Sequence, residues 1–219
     1  ETLEGVANIE IERGKGAKLL ILSEEFYEIV NDYSSRQLLL NNREDRVKYI
    51  IDYFIELDGI TTLDDLAHDL NVGKTTLIND LKEVELVLSD YHCKIESKKN
   101  TGSYLEYNEL DIRMLISNYL CEGYNIYQIN EKYANIDKDV FKNLKIDIYN
   151  LLKANNYNVT EVVLTDILKY IIIMVYRVNR GYTINHLEKR HEIIKNFSDY
   201  DNYAQKISEL VDRYFGIKT

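Results

Sequence analysis

Apolar and polar positions along the chain set out a short series of elements. From Arg43 to Glu56 the apolar residues Val47, Ile50, Ile51, Phe54 and Ile55 fall on one helical stripe. Thr61-Thr-Leu-Asp-Asp65 then offers two overlapping helix starts, each a hydroxyl residue followed three positions on by an acid. Leu63, Leu66, Ala67 and Leu70 mark one face of the short helix that follows, and Asn71-Val-Gly73 is a turn. Lys74–Leu88 is a second helix whose apolar face is Leu77, Leu81, Val84 and Leu88. Next, Cys93-Lys-Ile95-Glu96 and Ser103-Tyr-Leu105 alternate apolar and polar residues on either side of a basic turn that contains Gly102, the pattern of a hairpin.

Helix, helix, tight turn, helix and hairpin is the order of a winged helix-turn-helix. The hairpin has a counterpart near the start of the chain. Ile9-Glu-Ile11-Glu12, the basic turn Arg13-Gly-Lys-Gly16, and Ala17-Lys-Leu19 repeat the pattern 86 residues earlier, measured from Gly16 to Gly102. A full set of helices precedes the second copy and only about seven residues precede the first. The chain is therefore expected to begin inside a first unit and to be a fragment of something longer. Residues 1–22 read as the wing of that unit, 23–42 as a connecting helix and 43–108 as a second winged helix-turn-helix. After Leu110 the periodicity is helical almost throughout, with candidate helices at 110–121, 125–134, 138–154, 160–179, 188–196 and 200–215. The fold class expected is mainly α: a winged helix-turn-helix with a small β-hairpin wing, followed by an all-α helical bundle.

The polar face of the 74–88 helix carries the chemistry. With Leu77 and its partners turned inward, Lys74, Thr75, Ile78, Asn79 and Lys82 lie opposite, and Thr76 joins them at the N-terminal end. Asparagine can pair bidentately with adenine, threonine can bond to phosphate or pack on a thymine methyl, and lysine can meet phosphate or guanine. The partial positive charge of a helix N-terminus also favours phosphate. Lys98 and Lys99 stand in the wing turn, and Arg13, Lys15 and Lys18 are placed likewise in the first hairpin. These ten residues, Ile78 apart, are the candidate contacts to double-stranded DNA.

Charge qualifies this reading. The 219 residues carry a net charge of −10, and residues 1–111 hold 24 acidic against 12 basic side chains. The DNA-facing half is thus the acidic half, so affinity must come from basic groups gathered at the tips. Other chemistries find less support. Asn71-Val-Gly-Lys-Thr-Thr76 looks like a phosphate-binding loop, but His68 stands where that loop needs glycine and the preceding segment reads as helix. His68, His92, His186 and His191 have no zinc-like spacing, no catalytic carboxylate pair stands out, and no cofactor is called for. The 19 tyrosines fall mostly at helical spacing and read as packing. The chain is not read as an enzyme.

Cys93 and Cys121 are the two cysteines, which is no disulfide framework and suits a reducing cytoplasm. The sequons Asn158-Val-Thr160 and Asn196-Phe-Ser198 read as chance, because the N-terminal residues carry no secretory pattern. The longest apolar run, Ile167–Val175, falls short of the ~20 residues a membrane span needs. No membrane partner is expected.

Taken together, Arg46, Ile50, Thr62-Leu-Asp-Asp-Leu-Ala67, Leu70-Asn-Val-Gly-Lys-Thr-Thr-Leu-Ile-Asn-Asp-Leu81, Gly102, Leu105 and Glu109-Leu-Asp-Ile-Arg113 resemble the second winged helix-turn-helix of sugar-phosphotransferase-linked regulators. These are the mannitol- and lichenan-operon activators and the Mga-like virulence regulators. The resemblance implies that 109–219 is a helical phosphotransferase regulation domain, truncated at its C-terminus. It implies a homodimer, as symmetric operators also do. It further implies histidine phosphorylation by the phosphocarrier protein or sugar permease subunits, with added charge altering dimer packing. Here the sequence departs from the family. Tyr170 stands at the position aligned with the first phosphohistidine, seven residues before Arg177. The family also often has basic residues where Ile78 and Asn79 stand. Two other classes stay open: an RNA-binding antiterminator of the same lineage, and a protein-interaction module on a winged-helix scaffold.

Overall fold

The computed structural model describes residues 5–12, 16–23, 25–26, 42–157, 159–184 and 198–217. Among them, two antiparallel hairpins are set in a mainly helical chain. Strands β1 (Ala7–Glu12) and β2 (Gly16–Ile21) pair in the register Ile9↔Leu19 and Glu10↔Lys18. Helix α1 (Arg43–Leu57) begins where the Asn42 side chain accepts a hydrogen bond from the Asp45 amide at 2.8 Å. It buries Val47, Ile50, Ile51, Phe54 and Ile55, the stripe read from the sequence.

Helix α2 (Leu63–Asp69) is capped by Thr62, whose hydroxyl accepts from the Asp65 amide at 3.1 Å. The turn after it closes through Asn71, which adopts a left-handed φ of 52°. Helix α3 (Lys74–Asp90) follows, and the hairpin β3 (Lys94–Lys98) and β4 (Gly102–Glu106) comes after it. The order is the one predicted. One face assignment differs. Leu77, Asp80, Val84 and Leu88 are buried, while Leu81 is only half-buried. An aspartate takes the inward position, which is tolerable because two arginines of α1 meet it.

Beyond the hairpin the helices are α4 (Glu109–Leu115), α5 (Ile126–Ile129), α6 (Lys138–Ala154), α7 (Glu161–Asn179) and α8 (Ser198–Phe215). The expected helices 110–121 and 125–134 each widen into a π-helical turn, at Ile116–Leu120 and Asn130–Ala134. Helix α7 is the central member: α4, α5, α6 and both π turns pack on it, and α8 packs on α6. Its buried residues include Leu168, Ile172, Ile173 and Arg177. The apolar run 167–175 is thus the core of a bundle, and no helix among the described residues is long and apolar enough to cross a membrane. The predicted helix 188–196, and nearly all of the connecting helix 23–42, lie outside the described residues.

Two compact units emerge. One holds residues 1–86 and 96–104; the other holds 87–95 and 105–219. The division passes along α3 after Leu86 and across the strands of the second hairpin.

Candidate nucleic-acid interface

The exposed face of α3 begins at its first residue. Lys74, Thr75, Thr76, Ile78, Asn79 and Lys82 are all exposed, while Leu77 between them is fully buried. That contrast gives the helix a definite polar side. Asp80 fixes how the side is presented. It is 1% exposed. Its carboxylate takes two hydrogen bonds from the Arg46 guanidinium, Nε at 2.7 Å and Nη2 at 3.1 Å. The paired carboxylate holds the Arg46 pKa above its ordinary value, through the hydrogen bond first, against an opposing effect of burial. Arg43, one turn earlier on α1, donates to the Asn79 carbonyl at 2.7 Å and lies 3.3 Å from Glu83. Both arginines therefore grip the middle of α3 from behind while the Asn79 side chain stays exposed.

The wing is attached beside the start of α2. Thr61 and Ser103 exchange backbone hydrogen bonds of 2.9 and 2.8 Å. This close approach requires glycine at the next position. Gly102 has φ +139°, and a Cβ there would stand 2.4 Å from the Thr61 carbonyl oxygen. Lys98 and Lys99 lie at the hairpin turn and are exposed, and Asn100 takes the left-handed position that closes it. Ser97 and Ser103 pair across the strands, with hydroxyls 3.1 Å apart.

These pieces enclose a cleft of about 450 Å³ within one compact unit. Thr62, Leu63 and Asp64 of α2, Lys74, Leu77 and Ile78 of α3, and wing residues including Lys98 and Ser103 line it. The Lys74 ammonium lies 2.6 Å from the Asp64 carboxylate, both largely exposed. Sequence reasoning placed Lys74 on the polar face but missed this acid beside it.

The structure thus brings Lys74 and Lys98 to one cleft, with Thr75, Thr76, Asn79 and Lys82 along the same exposed helix and Lys99 next to Lys98. Lys18 is exposed on β2, directly across from Glu10. Arg13 and Lys15 lie outside the described residues. Arg43 was not singled out from the sequence, and Arg46 and Asp80 entered only among the residues that carry the resemblance, with no pairing between them foreseen. The signal was present: Asp80 falls between Leu77 and Val84 on the inward spacing, a place where an unpaired charge is too costly.

In the helical unit, Tyr170 is 40% exposed on α7 and donates from its hydroxyl to Asn118 Oδ1 at 3.2 Å. Arg177, two turns on, is fully buried. Glu109 Oε2 accepts from its Nη2 at 2.7 Å, the Tyr107 hydroxyl accepts at 2.9 Å, and the Tyr182 ring lies 3.8 Å from the guanidinium carbon. Burial alone would lower the Arg177 pKa, but the bonds to Glu109 and Tyr107 outweigh it and the net shift is upward. Arg113 shares the same carboxylate, at 2.7 Å from Glu109 Oε1. This arginine–glutamate–arginine group is a charged core for the bundle.

Residues 31–120 match the Mga helix-turn-helix domain. The chain is also similar to the "Probable licABCH operon regulator" of Bacillus subtilis (strain 168), at 24% identity over 202 residues. That alignment covers 90% of this chain and 32% of the relative, so the chain spans about a third of the length of this curated relative. The residues that carried the resemblance to Mga-like regulators fall within both matches.

Proposed function

We propose, from a chain that carries an Mga helix-turn-helix domain at residues 31–120, that this protein is a DNA-binding transcription regulator controlling sugar-utilisation or virulence genes. The observation that carries the proposal is the arrangement around α3. A helix with Thr75, Asn79 and Lys82 on its open side starts beside a wing whose turn is dilysine. Such a helix enters the major groove by its N-terminal part, and such a wing meets the flanking phosphates. Thr75 and Asn79 are the candidate base readers. Lys74, Thr76, Lys82, Lys98 and Lys99 are the candidate backbone contacts, and Arg13, Lys15 and Lys18 serve the same end in the first hairpin.

The domain reading follows the same logic. Residues 43–108 form the winged helix-turn-helix. Residues 1–22 are the wing of a first such unit. In its favour, Ile9, Ile11 and Leu19 share one face of the β1–β2 ladder and are 64%, 81% and 47% exposed, a surface suited to a covering helical layer. Residues 23–42 connect the two units, and residues 109–219 are a phosphotransferase regulation domain. The relative's name, an operon regulator, supports regulation as the purpose of binding. The protein works as a cytoplasmic homodimer on a symmetric operator, and phosphocarrier or sugar permease subunits are its signalling partners. With Tyr170 at the aligned position, that signal does not pass through a phosphohistidine there.

Fluorescence anisotropy with a labelled duplex and a labelled RNA hairpin separates this reading from its RNA-binding alternative. Duplex DNA is expected to bind more tightly, with affinity falling steeply as salt rises. Preference for the hairpin contradicts the proposal.

A further inference from the structure

Asp64 stands where a DNA-binding surface should be cationic. It lies in the first turn of α2, lines the cleft between α2, α3 and the wing, and places its carboxylate 2.6 Å from Lys74. In a helix-turn-helix the first helix crosses the DNA backbone while the second enters the groove. The cleft mouth is thus the place where a phosphate would come closest to Lys74 and Lys98. Resting on the DNA-binding reading above, we propose that Asp64 is an acidic guard of the interface: it cancels Lys74 and holds affinity for every duplex down.

Three observations point the same way. The pair is 69% and 70% exposed, so no burial demands it for folding, and an exposed pair of this kind adds little stability. The helix start is already capped by Thr62, which binds the Asp65 amide and carboxylate, so Asp64 is not the capping residue. Of the charged side chains lining the cleft, Lys74 and Lys98 are cationic and Asp64 alone opposes them. Phosphate contacts supply nearly all non-specific affinity, whereas base-reading groups decide between sequences. A carboxylate at the phosphate seat therefore weakens every duplex alike and leaves discrimination to Thr75 and Asn79.

The test is anisotropy of the full chain with a random-sequence 30-base-pair duplex across a salt titration, for wild type, Asp64→Asn, Lys74→Ala, the double variant of these two, Lys98→Ala and Asp69→Asn. Asp69 sits on the same helix but does not line the cleft, so it controls for net charge. Asp64→Asn is expected to raise affinity about three- to tenfold at low salt and to steepen the salt slope by about one. Lys74→Ala should cost more in the Asp64→Asn background than in wild type, and Asp69→Asn should do little. Thermal melting of each variant checks that the fold is kept. If Asp64→Asn binds no more tightly than Asp69→Asn, while Lys98→Ala still weakens binding, this inference fails and the DNA-binding reading survives. If no variant binds duplex at low salt, both fail.

Discussion

Asp80 and Arg46 carry opposite charges into the packed face between α1 and α3, and their pairing decides whether α3 can sit there. Removing one member of a buried pair strands the other without water. Arg46→Met should therefore destabilise the protein by about 3 kcal/mol, read from urea denaturation. A change near zero would mean that Asp80 finds water or Arg43 instead. Cys93 offers a separate residue-scale check. Burial first, and Asp111 second, push its thiol up to about 12 from 9.0. A raised thiol pKa favours the folded state below the unfolded value. This contribution is complete below pH 9 and is lost as pH climbs from 9 toward 12. At pH 8, Cys93 should resist iodoacetamide in the folded protein and react once urea unfolds it. Mass spectrometry of the labelled peptide reads the difference, and fast labelling of the native chain would show that the thiol is open.

At the scale of elements, the wing depends on Gly102. An alanine Cβ would meet the Thr61 carbonyl at a distance no packing allows, and the left-handed φ adds strain of about 1 to 3 kcal/mol. Gly102→Ala should lower the melting temperature and weaken DNA binding together, because the backbone bonds that fix the wing to Thr61 are lost. Binding that survives unchanged would detach the wing from the account. Much of this was legible in the sequence. The α1 stripe, a hydroxyl cap at Thr61 or Thr62, the Asn71 turn and both hairpins follow from periodicity and turn chemistry, which are local; the structure selects Thr62 as the cap. The π turns at Ile116–Leu120 and Asn130–Ala134 were not, since a one-residue widening leaves the apolar spacing nearly helical. The inward Asp80 was missed because its partners, Arg46 at 2.7 Å and Arg43 at 3.5 Å, lie more than thirty residues away along the chain. The Lys74–Asp64 pair was missed for a similar reason: it joins two helices across a turn, and spacing within one helix does not report it.

For the molecule as a whole, charge is distributed against its proposed task, and placement has to overcome the total. An acidic unit binds DNA when its few cations reach phosphate together and its base readers sit between them. Asn79 tests the second half of that statement. Asn79→Ala should relax preference at one base position, with a discrimination loss of about 1 to 3 kcal/mol and little change on random duplex. Competition between operator variants measures it, and an even loss on all sequences would make Asn79 a backbone contact instead.

The salt dependence of duplex binding by Lys98→Ala/Lys99→Ala beside wild type tests the central claim most directly. If the wing turn grips phosphate next to α3, the double variant binds every duplex more weakly and its log–log salt slope shrinks by about two. Equal affinity and an equal slope in the two proteins would contradict the account.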